Sequence, residues 1–167
     1  MNRRHLMLAS AAIALTACGR ARESTSAAAQ AGAAATPAGA SALPALLVHK
    51  NVGCGCCDLW VKHMQAAGFV AEVREEPNMG PIKERVGVPV AMGSCHTAEV
   101  AGYFLEGHVP AEDALRLLRE RPDARGLTVP GMPLGSPGME VEGHSDAYDV
   151  FLVARDGSTS VYAHHAP

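Results

Sequence analysis

Aromatic residues are scarce in this sequence, at 4%, and Trp60 is the only tryptophan. Basic residues form no stripe and are not interleaved with aromatics, and the formal net charge is −3. Both absences argue against nucleic acid as a partner. The apolar stretch from Leu6 to Ala17 is too short to span a bilayer as a stable helix. The glycines are followed by no Lys-Ser/Thr pair, so they form no nucleotide loop. No serine, histidine and carboxylate grouping suggests hydrolysis, paired catalytic carboxylates have no local signature, and no internal repeat is visible. Cysteine is also rare, five residues in all, yet three of them crowd into Cys54-Gly55-Cys56-Cys57.

The first residues read as an export signal. Arg3-Arg4 precede the short apolar stretch, which ends in Leu15-Thr16-Ala17-Cys18. That ending resembles the lipobox of bacterial lipoproteins, which implies lipidation at Cys18 and cleavage before it. Arg3-Arg4-His5-Leu6-Met7 more loosely resembles a twin-arginine signal. Residues 1–18 are thus expected to be a signal peptide. Residues 19–42 are almost entirely Ala, Gly, Ser, Thr and Pro, too little apolar surface to offset ordering entropy, and are expected to be a tether. One folded domain is expected over residues 43–163, with 164–167 as a solvated tail. Export matters for the remaining cysteines. Four free thiols outside the cytoplasm need a metal to hold them or a redox partner.

Periodicity places the cysteines. Leu46 to Lys50 predicts a buried strand, and from Cys56 the pattern becomes helical, with Leu59, Trp60, His63, Met64 and Ala67 on one face and Gly68 as the stop. Phe69 to Arg74 predicts a second strand, and Ile82 to Val86 a short helix after Pro81. Thr97 to Glu106 predicts a hairpin turning at Ala101-Gly102. Pro110 opens a helix with Glu112 and Asp113 in its first turn and Arg119 and Arg121 in its last, ended by Pro122. The order β-α-β-α-β-β-α predicts an α/β, thioredoxin-like fold. Pro122 to Glu140 reads as a long Pro/Gly-rich loop. Tyr148 to Ala154 and Ser158 to Ala163, around Asp156-Gly157, predict a C-terminal β-hairpin.

The cysteines therefore sit on a strand-to-helix turn, where unpaired N–H groups and the helix dipole favour thiolate. Clustered thiolates bind soft metals or exchange disulfides. In the metal reading, Cys54 and Cys57 lie on one side of a first helical turn, Cys56 widens the sulfur surface, and Cys95 supplies a fourth sulfur if Ser94-Cys95-His96-Thr97 folds back beside it. In the redox reading, Cys54 and Cys57 form a Cys-x-x-Cys pair at a helix start, which the extra thiol of Cys56 fits poorly. A third reading is structural, with disulfides such as Cys54–Cys57 and Cys56–Cys95. The residues leave all three open.

A resemblance narrows the choice. From Leu47 to Glu140 the chain resembles the CopG-like family of exported bacterial copper-resistance proteins, long catalogued as a domain of unknown function. It does so through Cys54-Gly55-Cys56-Cys57 with Trp60, Gly87-Val88-Pro89, Ser94-Cys95-His96-Thr97-Ala98, Gly102-Tyr103 and Glu106-Gly107-His108-Val109-Pro110. Val129-Pro130-Gly131-Met132-Pro133 and Gly135-Ser136-Pro137-Gly138-Met139-Glu140 complete the match. Departures are the long tether and Ala101, where a polar turn residue is usual. The resemblance implies copper and silver handling, a thioredoxin-like fold and a cysteine-bound Cu(I) cluster with Cys54, Cys56, Cys57 and Cys95 as ligands.

Other residues stand as secondary candidates. His108, beside the third helix, is a candidate to support or touch metal. Met132 and Met139 offer thioethers over the site or simply pin the loop, and Met92 has the same choice. His96 follows Cys95 and on an extended strand points away from it, which favours a structural histidine over a co-ligand. His63, Met64 and Trp60 read as packing, and His164 and His165 as a solvated end. The expectation is an exported periplasmic lipoprotein that sequesters or hands on Cu(I) (Ag(I) or Zn(II) being the alternatives), with other copper-handling proteins of the envelope as partners. It is read as a metal-binding protein before an enzyme, the rival being a thiol-disulfide oxidoreductase using Cys54 and Cys57.

Overall fold

A computed structural model describes residues 42–167. The export signal, Cys18 and the tether up to residue 41 lie outside the described residues. Among the described residues, seven strands and three helices follow the order β1 (Leu46–Asn51), α1 (Gly55–Ala66), β2 (Ala71–Glu76), α2 (Gly80–Val86), β3 (His96–Val100), β4 (Tyr103–Glu106), α3 (Ala111–Glu120), β5 (Ala124–Thr128), β6 (Tyr148–Ala154) and β7 (Thr159–His165), with a 3-10 turn at Val90–Met92 before β3. They make one sheet of order β2-β1-β3-β4-β5-β6-β7. β1 and β2 are parallel and joined by α1, β3 runs antiparallel to β1, and β4 antiparallel to β3. This is the expected α/β order, a parallel pair joined by a helix followed by a hairpin and a packing helix.

Side-chain alternation divides the sheet into two unlike faces. Leu46, Val48, Ala98, Val100, Leu105, Leu127 and Val129 join Trp60, Val61 and Met64 of α1 and Ala114 and Leu117 of α3 in the main core. The opposite face carries His49, Thr97, Glu99 and Glu106, to which α2 is bound through polar groups. Lys83 pairs with Glu106, and Arg85 with Glu99 at 2.7 Å. No residue of α2 is buried. This short helix thus holds to the sheet by two ion pairs together with Val86, which packs against Val88, Phe104 and Val153, where α1 and α3 hold mainly by apolar area.

The buried stripe of α1 is Cys57, Trp60, Val61 and Met64, a 3-1-3 spacing that matches the helical repeat. Leu59, expected on that face, is 50% exposed, one step round the helix from it. The expected long loop is interrupted by β5, which pairs parallel with β4 and antiparallel with β6. The expected tail is also structured. His164 and His165 belong to β7, where His165 stacks on Tyr148 at 4.9 Å and its Nε2 lies 2.7 Å from Asp113. The Ala101-Gly102 turn has positive φ at both residues, 48° and 86°, the mirror-image turn that suits a two-residue hairpin.

His63, expected as packing, accepts the Ala111 N–H at Nε2 over 3.0 Å and so joins α1 to the start of α3. Burial holds its pKa below the ordinary value of 6.5, against the pull of Glu140 and Glu112. His96 and His108 are depressed for the same first reason. The unfolded chain takes up these protons near pH 6.5, whereas the fold resists them. Stability is therefore full above that pH and declines as pH falls below it. Replacing His63 with glutamine, which keeps an acceptor but cannot titrate, is expected to make the decline shallower. Urea midpoints measured from about pH 7 down to about pH 5 check this, and an unchanged slope would refute it.

Candidate metal centre

Strand directions bring the site together. β3 runs antiparallel to β1 with Lys50 opposite His96, so the residue before β3 lies beside the end of β1 and the turn into α1. β4 runs antiparallel to β3, which returns Gly107 and His108 to the same end, where the Gly107 N–H donates to the His96 carbonyl at 3.0 Å. β5 is parallel to β4, so the Pro/Gly-rich segment after Thr128 also leaves from there. One end of the sheet thus collects Cys54, Cys56, Cys57, Cys95, His96 and His108.

The four cysteine sulfurs lie within 4.8 Å of one another. Cys54 caps the N-terminus of α1. It is joined to Cys57 by a disulfide, with an S–S distance of 2.01 Å and Cα atoms 5.4 Å apart. Cys56 and Cys95 are free thiols among the described residues, and Cys56 Sγ is 3.6 Å from Cys54 Sγ. Two of the four expected thiolates are therefore held as a disulfide. Four sulfur ligands require its reduction, a two-electron step that leaves two thiols.

Cys95 sits between two imidazoles. His108 Nε2 is 3.1 Å and His96 Nδ1 3.3 Å from its sulfur. His108 Nδ1 is 2.8 Å from the Pro137 carbonyl, which can only accept, so Nδ1 carries the proton and Nε2 turns its lone pair to the sulfur. His96 does not point away, as expected for an extended run, because Cys95 lies in a bend ahead of β3. Its ring is fully buried, 4.3 Å from Trp60 and 5.1 Å from His108, and its Nε2 has no hydrogen-bond partner among the described residues. Burial, aided by Cys56, pushes the Cys95 thiol up to about 11, so it keeps its proton until a soft cation displaces it.

The segment after β5 closes over the turn. Gly138, at φ +86°, leaves no room for a side chain. A Cβ there would lie 2.7 Å from the Cys56 carbonyl oxygen and 2.8 Å from the Trp60 backbone nitrogen. Trp60 is buried beneath the cysteine turn and donates to the Val109 carbonyl at 2.8 Å. Met132 is 53% exposed on this segment, and Met139 is partly buried. Sequence reasoning missed Glu106, a fully buried carboxylate that binds both sides of Cys95. The signal available was its place two residues before His108, but a glutamate ending a short strand reads as solvent-facing.

A family model described as "Protein of unknown function, DUF411" matches residues 92–139, the part that carries Cys95, His96, His108 and the Pro/Gly-rich segment. Two solved structures of a "copper resistance protein copG", forms 1 and 2, are each 50% identical to this chain, with a TM-score of 0.71. The matches cover 74% and 75% of this chain and 99% of each solved chain. No curated protein matches the sequence.

Proposed function

The chain belongs to the CopG family of copper resistance proteins, and from that premise we propose that it binds Cu(I) on the thiolates of Cys54, Cys56, Cys57 and Cys95 and serves copper tolerance. The observation that carries this reading is the convergence of four sulfurs, from two stretches of chain about forty residues apart in sequence, to within 4.8 Å. Thiolate and imidazole are the donors a soft monovalent ion prefers, and His108 and His96 stand beside Cys95. Ag(I) suits the same donors, and Zn(II) is the harder alternative. Three or more close thiolates exceed what one linear Cu(I) ion uses, which favours several bridged ions. The lipobox-like Leu15-Thr16-Ala17-Cys18 supports export and anchoring at the periplasmic face of a membrane. There the protein would sequester Cu(I) or pass it to another copper-handling protein of the envelope.

The test is a Cu(I) titration against a colorimetric chelator, anaerobically and after full reduction. The double variant Cys54→Ser/Cys57→Ser is expected to lose tight binding, and an unchanged stoichiometry would end the proposal. The Cys54–Cys57 disulfide at the start of α1 favours a second reading, thiol-disulfide exchange. That reading requires turnover with a dithiol substrate, which sequestration does not.

A further inference from the structure

Three consecutive residues at the end of β4 each grip the segment that carries Cys95. The Gly107 N–H donates to the His96 carbonyl, His108 faces the Cys95 sulfur, and Glu106 reaches Ser94 just before Cys95 and Thr97 two residues after it. Glu106 Oε1 accepts the Ser94 N–H at 2.6 Å, and Oε2 accepts the Thr97 hydroxyl at 2.7 Å. The Lys83 ammonium pairs with Oε1 and also donates to Thr97 Oγ1 at 3.2 Å. Glu106 is fully buried. A carboxylate is retained in such a place only when paired and hydrogen-bonded, and this one is both. It acts from the α2 face of the sheet, opposite Trp60 and His96. Close approach is built in, since a Cβ on Gly107 would lie 2.6 Å from Ser94 Cβ and from the Val129 carbonyl oxygen.

We propose that Glu106 is a positioning residue for Cys95, clamping Ser94 and Thr97 so that the sulfur between them stays with the three of the α1 turn. The inference deepens the copper reading, but its first readout needs no metal. In the full chain, with Cys54–Cys57 left oxidised, Cys56 and Cys95 compete for iodoacetamide, and site-resolved mass spectrometry gives the ratio of their alkylation rates. Glu106→Gln keeps the shape and removes the charge. It is expected to raise the Cys95 to Cys56 ratio on the order of tenfold, the scale of one lost charge-assisted hydrogen bond. A ratio that stays level, whether neither rate rises or both rise together, overturns the clamp. Should that variant not fold, Thr97→Val removes one arm only and is expected to raise the ratio about threefold; no change there overturns the clamp as well. In the reduced protein, Glu106→Gln is expected to weaken Cu(I) affinity about tenfold at unchanged stoichiometry. Wild-type protein that binds no Cu(I), with the alkylation ratio still shifted, would sink the copper reading and leave the clamp standing. Copper bound by the wild type with an unshifted ratio would do the reverse.

Discussion

Replacing Cys95 with serine is expected to weaken Cu(I) binding by at least about a hundredfold. Removing groups that merely support metal ligands already lowers affinity about 10–100-fold, and Cys95 is read as a ligand itself. A hydroxyl oxygen is a hard donor that a soft ion does not accept in place of sulfur. The fold should survive the change, because a serine hydroxyl can still donate to His108 Nε2, now 3.1 Å from the Cys95 sulfur. Nor does the substitution touch the Cys54–Cys57 pair. Competition titrations on the reduced variant decide the matter. Wild-type affinity in Cys95→Ser would confine the site to Cys54-Gly55-Cys56-Cys57 and make the approach of the second segment incidental.

The largest expected effect on stability comes from a residue that bears no function. Gly126 lies in β5, beside Phe104 of β4. A Cβ there would sit 2.0 Å from the Phe104 carbonyl oxygen and 2.8 Å from its carbonyl carbon and nitrogen. All three are backbone atoms within a sheet, so no side chain can swing aside to make room. Gly126→Ala must separate the two strands locally, and is expected to destabilise by about 3 kcal/mol or more. That corresponds to a melting temperature lower by roughly 10 °C. A thermal melt indistinguishable from wild type would mean the β4–β5 pair yields without penalty. Because β5 feeds the Pro/Gly-rich segment over the thiols, Cu(I) affinity should fall with stability in this variant.

Gly126 also explains why β5 was not legible in the sequence. Ala124-Arg125-Gly126-Leu127-Thr128 breaks alternation at the glycine, and Pro122 and Pro130 frame it as loop. It is a strand because β4 and β6 flank it on both sides, which is tertiary information. Where local signals agree with the fold, sequence and structure coincide. The Ala101-Gly102 turn, the pattern of β1 into α1 and the charge arrangement of α3 were all visible. At the site, cysteine spacing places Cys54, Cys56 and Cys57 on one turn. Cys95 as the fourth ligand comes from the family resemblance, and its approach depends on the antiparallel return of β3, which is tertiary information. The chemistry between the four is not legible either. Nothing in Cys54-Gly55-Cys56-Cys57 distinguishes a disulfide from two thiols, and His96 was misdirected by assuming that strand alternation extends back to Cys95. His165 looked like a loose end only because its partners, Tyr148 and Asp113, come from distant elements.

The direction of β1 sets the bearing of the described domain. Leu43 and Pro44, where the chain enters the fold, lie with Ala101, Leu118 and Arg121 around a shallow groove at the end of the sheet away from the cysteines. Six residues of β1 separate the two poles, a span of roughly 17 Å. Whatever precedes Leu43 therefore joins the domain at the pole opposite its thiols, which leaves the cysteine end clear of the point of entry.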